Sequence, residues 1–203
     1  MNAIDKLVEK FRNFPGIGPR QARRFAYFLL SQPPTALKEL ASLIAELRGN
    51  IIACQKCQRY FEKERAGNPI CNICRDKNRE AETLMIVARD IDLESIEKAN
   101  SYHGNYFILG GNLPILEPEP EKKIRLQLLL NRVGSEPAIK EIILAMNLNP
   151  DGEHTGDFVE AELRRNFADR DIKISHLGRG LSTGAELEYA DRETIKSALK
   201  NRF

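Results

Sequence analysis

Cys54-Gln-Lys-Cys57 and Cys71-Asn-Ile-Cys74 contain all four cysteines of the chain, in the spacing C-x2-C-x13-C-x2-C. Two thiolates two residues apart bind one metal ion from a tight turn. A second pair one loop away completes a tetrahedral all-sulfur shell of the kind zinc favours. Two rival readings are weaker. A disulfide framework suits small secreted domains, whereas this chain has 203 residues and no segment resembling a signal peptide. A redox C-x-x-C occurs once, at a strand-to-helix junction, and not as a matched pair. The expectation is one structural zinc ion on Cys54, Cys57, Cys71 and Cys74. With every position taken by sulfur, such an ion folds a knuckle and offers no place to water or substrate.

Around the knuckle the composition is that of an ordinary globular protein: 42% hydrophobic, 30% charged, net charge +2. That length suits one large domain or two small ones. The longest purely apolar run, Phe25 to Leu30, is too short for a membrane span. Thiolates without a secretion signal predict a reducing cytoplasm. The near-neutral total hides an asymmetry. Residues 1–50 carry eight basic side chains against four acids, and a local excess is what a polyanionic partner responds to.

That excess falls on a helical hairpin. Ile4, Leu7, Val8 and Phe11 recur at helical spacing, and Phe14-Pro15-Gly16-Ile17-Gly18-Pro19 ends the first helix. A second helix is expected over Pro19–Ser31, with Ala22, Phe25, Ala26 and Leu29 on one face and Arg20, Arg23, Arg24 and Tyr27 on the other. The turn resembles a helix-hairpin-helix motif, h-x-G-h-G, with Pro15 in the variable place. Its backbone N–H groups and the following helix N-terminus suit a phosphate. The resemblance implies sequence-indifferent, salt-sensitive DNA binding by Gly16, Ile17, Gly18, Arg20, Arg23 and Arg24. The bland alternative is a connector with a solvated arginine face. A third helix, Ala36 to Leu47, is expected to pack Leu37, Leu40, Ala41, Ile44 and Leu47 against the hairpin.

Beyond Thr83 the period changes. Leu84–Val87, Tyr106–Leu109, Glu141–Ala145 and Ile172–Ser175 read as strands separated by helical patterns. Such alternation argues an α/β fold with a mainly parallel sheet covered on both faces, its working loops at the strands' C-terminal ends. Two of those loops carry polar clusters: Ala88-Arg89-Asp90-Ile91-Asp92, and Asn147 to Glu153. They either cap the following helices or meet across the sheet as a metal or partner site.

The order of hairpin, four-cysteine knuckle and α/β half resembles the RecR family of bacterial recombination mediators over nearly the whole chain. The anchors are Phe14 to Arg20, the cysteines followed by Arg75-Asp76, Tyr102 to Gly111, and Arg179 to Asp191. The resemblance implies a Toprim domain over residues 80–176, after a DNA-binding region (1–53) and the knuckle (54–76). It implies a Walker B-like segment and helix over 177–203. It also implies a homo-oligomer (a dimer or tetrameric ring), RecO-like and RecF-like partners, and loading of recombinase at DNA gaps without enzymatic turnover. Asp90, Asn147, Asp151 and Glu153 would form the partner-facing set.

Two departures bear on the rival, a Toprim-type magnesium-dependent nuclease or primase-like enzyme. Ala88 stands where the family pattern has a glutamate, and Asn147-Leu148-Asn149 replaces an Asp-x-Asp pair. A hard cation needs negative oxygens, so catalysis through magnesium loses its ligands. In the loop from Leu113 to Glu121, prolines and acids replace the family's glycine-containing stretch. No Walker A sequence accompanies the C-terminal segment, where Glu186–Tyr189 reads as an edge strand and Ile195, Ala198 and Leu199 mark a last helix.

Overall fold

A computed structural model describes residues 1–64, 67–178, 180–181, 184 and 186–200. The chain divides into two compact units, Met1–Ile52 and Ala53–Phe203.

The first unit holds α1 (Ala3–Arg12), α2 (Pro19–Leu30) and α3 (Pro34–Asn50). Asn2 caps α1 by accepting the Asp5 N–H at 2.9 Å. Proline at the first position starts both α2 and α3, where its fixed φ suits the helix and its missing N–H costs nothing. At the other end of α2 the Ser31 hydroxyl donates to the Phe28 carbonyl at 2.7 Å. α2 buries Ala22 and Ala26, small side chains that let a neighbouring helix come close, and Phe11 meets Phe25 edge-on at 5.9 Å. The expectation for α3 holds only in part: Leu37 is half-buried and Leu40 lines a groove with Phe11, Phe28 and Leu29, but Ala41, Ile44 and Leu47, together with Leu43, are exposed. About fifty residues cannot enclose every apolar side chain they carry, and three short helices leave one face of α3 uncovered.

The second unit begins with β1 (Ile51–Ala53), in which the division falls, and β2 (Tyr60–Glu62). Then follow α4 (Asn72–Arg75), β3 (Glu80–Val87), α5 (Asp90–Ala99), β4 (Gly104–Ile108), α6 (Pro120–Lys123), α7 (Leu126–Ser135), β5 (Glu141–Ala145), α8 (Pro150–Asn166) and β6 (Lys173–His176). A 3-10 turn (Leu187–Tyr189) and α9 (Arg192–Lys200) end the described chain. The four long strands form the expected parallel sheet in the order β4-β3-β5-β6, with Val87 opposite both Ile108 and Ala145. Central β3 is therefore buried on both faces over Leu84–Val87, which is why it reads as an unbroken apolar run.

Side-chain alternation along the strands builds two cores. Leu84, Ile86, Phe107, Ile142 and Leu144 face α7 and α8, where Leu129, Val133, Val159 and Leu163 close over them. Met85, Val87, Tyr106 and Ile108 face the other way, onto Leu93 of α5. Cys54, Cys57, Cys71 and Ile73 belong to this second core. The edge strand expected at Glu186–Tyr189 is the 3-10 turn instead, with Leu187 and Tyr189 exposed. A strand needs a neighbour's backbone for its N–H and C=O groups; here Tyr189 N–H bonds back to Glu186 O at 3.1 Å. Arg179, Ser182, Thr183 and Ala185 of the C-terminal motif lie outside the described residues.

Candidate functional site

The hairpin turn is built by backbone geometry. Gly16 sits at φ +74°, a region that favours glycine, and Ile17 N–H closes the turn on Phe14 O at 3.1 Å. Gly18 is extended and precedes Pro19 as the N-cap of α2, with no side-chain cap and no acid in the first turn. The first amides of α2 thus lack an internal acceptor, which leaves a partial positive charge facing outward. Arg20, Arg23 and Arg24 are exposed. Among the described residues none of them meets a carboxylate; Arg24 reaches only Gln21, at 3.2 Å. Tyr27 and Phe28 continue this surface one turn further on.

The cysteine pairs converge. Their four sulfurs lie within 4.8 Å of one another, and Cys57 and Cys71 are 3.6 Å apart. Sulfurs about 2.3 Å from a zinc ion at tetrahedral corners are separated by about 3.8 Å, so the set fits such an ion. Among the described residues it is the only group of three or more His, Cys, Asp or Glu side chains close enough to share a metal. Local structure explains the fit. The second pair spans one turn, Cys71 capping α4 and Cys74 lying within it. The first pair bends round a tight turn in which Gln58 N–H bonds Cys54 O at 2.9 Å and Gln58 itself takes φ +64°. Cys71 N–H points at the Cys54 sulfur, 3.3 Å away. Hydrogen bonds from the neighbouring thiols, Cys57 first, pull the Cys54 thiol down, while Cys57 is pushed up by sharing those protons. A bound metal ion would resolve that competition by taking four thiolates at once.

At the C-terminal edge of the sheet, the two polar loops leave the adjacent strands β3 and β5. Ala88 is fully buried. Asn149 uses its Oδ1 to cap α8 at Gly152 N–H, 2.8 Å away, and Asn147 O lies so close that a Cβ on Gly152 would sit 2.1 Å from it. The positions that departed from the acidic pattern are thus filled by a methyl group and a helix cap. Asp151 and Glu153 are exposed side chains in the first turn of α8, Asn147 is half-buried, and Asp90 opens α5. Asp90 is not free to act alone: its Oδ1 accepts the Tyr60 N–H at 2.8 Å.

Two features had no sequence motif. A cavity of about 470 Å³ lies beside the end of β6, lined by Met146, Asn147, Glu153, Asp157 and His176. His176 Nε2 lies 2.9 Å from Glu160, whose carboxyl is held below its usual range by that ring and by Arg164. The second is Arg125, which donates to Gln58 O at 3.1 Å and to Ile108 O at 3.3 Å, with its guanidinium 5.6 Å over the Tyr60 ring. Both depend on residues far apart in the chain, so spacing gives no signal.

Comparison with known proteins agrees with this layout. Three family models match in order: RecR, helix-hairpin-helix, over residues 4–48; Toprim domain, over residues 82–177; and RecR, C-terminal, over residues 180–202. Among curated relatives named recombination protein RecR, that of Bifidobacterium animalis subsp. lactis is 36% identical over 200 residues, covering 98% of this chain and 95% of its own. That of Chloroflexus aggregans is 35% identical over 199 residues (98% and 92%), and that of Lacticaseibacillus casei 32% over 199 (98% and 96%).

Proposed function

Because the chain belongs to the RecR family of recombination proteins, we propose that it is a DNA-binding recombination mediator that makes and breaks no covalent bond. The observation that carries this reading is the hairpin: an uncapped helix N-terminus behind a glycine turn, flanked by three exposed guanidinium groups with no carboxylate partner among the described residues. Unpaired arginines and free amides are the groups that exchange counterions for phosphates. The buried methyl of Ala88 and the capping role of Asn149 favour a mediator over a magnesium enzyme.

In this reading one zinc ion on the four cysteines stiffens the second unit, and the thiolates belong to a reducing cytoplasm. The uncovered apolar face of α3 favours self-association into a dimer or ring. The sheet edge around Asp90, Asn147, Asp151 and Glu153 receives RecO-like or RecF-like partners, as the family resemblance implies. Recombinase is then loaded at gaps. The test is fluorescence anisotropy of labelled DNA across a salt series. Wild-type protein binds unrelated sequences alike, and log Kd rises steeply with log salt. Replacing Arg20, Arg23 and Arg24 with Glu weakens binding by more than roughly tenfold and lowers the slope by about 2 to 3. An unchanged affinity and slope removes the hairpin from DNA binding, and magnesium-dependent cleavage of the DNA restores the enzyme reading.

A further inference from the structure

The cysteine knuckle is wired to the Toprim edge by a short set of bonds. Ile108 N–H, at the end of β4, donates to Cys57 O at 2.9 Å. Gln58, next in line, holds a left-handed backbone that a side chain with a Cβ adopts at a cost of about 1 kcal/mol or more. That conformation persists only where its surroundings fix it; here the Cys54–Cys57 turn lies on one side and Arg125, bound to Gln58 O at 3.1 Å, on the other. Two residues later Tyr60 N–H donates to Asp90 Oδ1 at 2.8 Å. Arg125 N–H is itself bonded to Leu109 O at 2.8 Å, and Leu109 N–H to Val87 O at 2.9 Å. The turn that carries two sulfurs therefore touches both the exit of β4 and the loop between β3 and α5.

We propose that Asp90 and Arg125 are positioning residues of the cysteine site, so that metal binding by the knuckle and the setting of the β3–α5 loop are one coupled equilibrium. The proposal rests on the metal-bound reading of the cluster. Closing Cys54 and Cys57 on an ion fixes the turn, the turn aims Gln58 O and Tyr60 N–H, and these hold Arg125 and Asp90. Coupling of this kind is reciprocal: whatever metal binding contributes to the Asp90 contact, the Asp90 contact returns to metal affinity. Knuckle occupancy thereby governs how the loop containing Ala88, Arg89 and Asp90 is presented to a partner, at a distance from any DNA-binding residue in sequence.

The test measures metal affinity directly, with Zn2+ in competition with a chelator and with Co2+ followed by its thiolate charge-transfer band. Full-length wild-type protein is compared with Asp90→Ala, Asp90→Asn and Asp92→Ala. Asp92 serves as control because its carboxylate accepts the Arg89 N–H at 2.9 Å from the first turn of α5 and does not reach the knuckle. The expectation is one ion per wild-type chain, an affinity weakened roughly five- to thirtyfold in Asp90→Ala, near-complete rescue in Asp90→Asn, which keeps an oxygen acceptor, and no change in Asp92→Ala. Wild-type affinity in Asp90→Ala overturns the coupling while leaving the metal reading intact. Equal weakening in Asp92→Ala also overturns it, since the loss would then be general loosening of the loop. A wild-type chain that binds neither ion removes the metal reading and the proposal together.

Discussion

The two units of this chain differ in how much apolar core they enclose. In the sheet unit, Leu84, Ile86, Phe107, Ile142 and Leu144 are at most 1% exposed, closed between strands and helices. In the helical unit only Ala22 and Ala26 are buried, while Leu43, Ile44 and Leu47 stand 60% to 66% exposed. Charge follows the same division. The sheet unit pairs its ions internally, as in Arg79–Glu97 and Lys173–Glu141, whereas among the described residues no ion pair lies within Met1–Ile52. One unit closes two cores between its sheet and helices; the other encloses little and presents guanidinium groups and an uncovered apolar face. The difference separates a core that fixes loop geometry from a thin helical module that leaves an apolar face open, the kind of patch that marks interaction sites.

The largest effect should come from the four-cysteine cluster, because three of its cysteines are buried in the second core and the fourth packs against it. Chelation, or Cys71→Ser, should lower the melting temperature of the sheet unit by more than about 10 °C, as expected for a loss of several kcal/mol in a chain of this size. Amide exchange would show the loss in β3 and β4 first, with α1 and α2 affected less. If both units lost protection together and to the same degree, they would form one cooperative unit and not two. Next in size is a matched pair of truncations. Leu144→Ala opens a cavity in a closed core and should cost about 2–5 kcal/mol in urea unfolding. Ile44→Ser in dilute protein should change unfolding by less than about 0.5 kcal/mol, yet weaken self-association in sedimentation. Equal destabilisation by the two would show that α3 is packed within its own unit.

The cysteine cluster and the strands of the sheet were legible in the sequence. The C-x2-C pairs announced a cluster because thiolate spacing is local. Glu141–Ala145 was recognised to the residue because Ile142 to Ala145 form the unbroken apolar run of a central parallel strand. β3 began four residues before the expected Leu84, since Glu80 to Thr83 extend past the covered part of the sheet and carry no apolar signal. The exposure of α3 was hidden for a related reason. Periodicity marks an apolar face, but it does not say whether that face finds a partner in the same unit. The Arg125 and Asp90 contacts to the knuckle were beyond reach, being made to backbone atoms of residues 67 and 30 positions away.

The smallest predicted effect separates the units by acid. Glu97 on α5 is partly buried, which alone would raise its carboxyl. The Arg79 guanidinium at 2.5 Å and the Tyr106 hydroxyl at 2.7 Å more than offset this and hold it below its usual value. A carboxyl lowered in the folded state stabilises the fold above its unfolded value, near 4.5, and that contribution is lost as pH falls through the folded value. Glu97→Gln should therefore cost on the order of 1 kcal/mol at pH 7, solvent screening included, and the difference from wild type should shrink to nothing as pH drops below the folded value of Glu97. Chemical unfolding at stepped pH between 7 and 3 measures this. The helical unit has no ion-paired carboxylate among its described residues, so on acidification amide protection should fail first around α5 and β4. Earlier loss in α2 would mean that the helical unit's stability, too, depends on a charge pair.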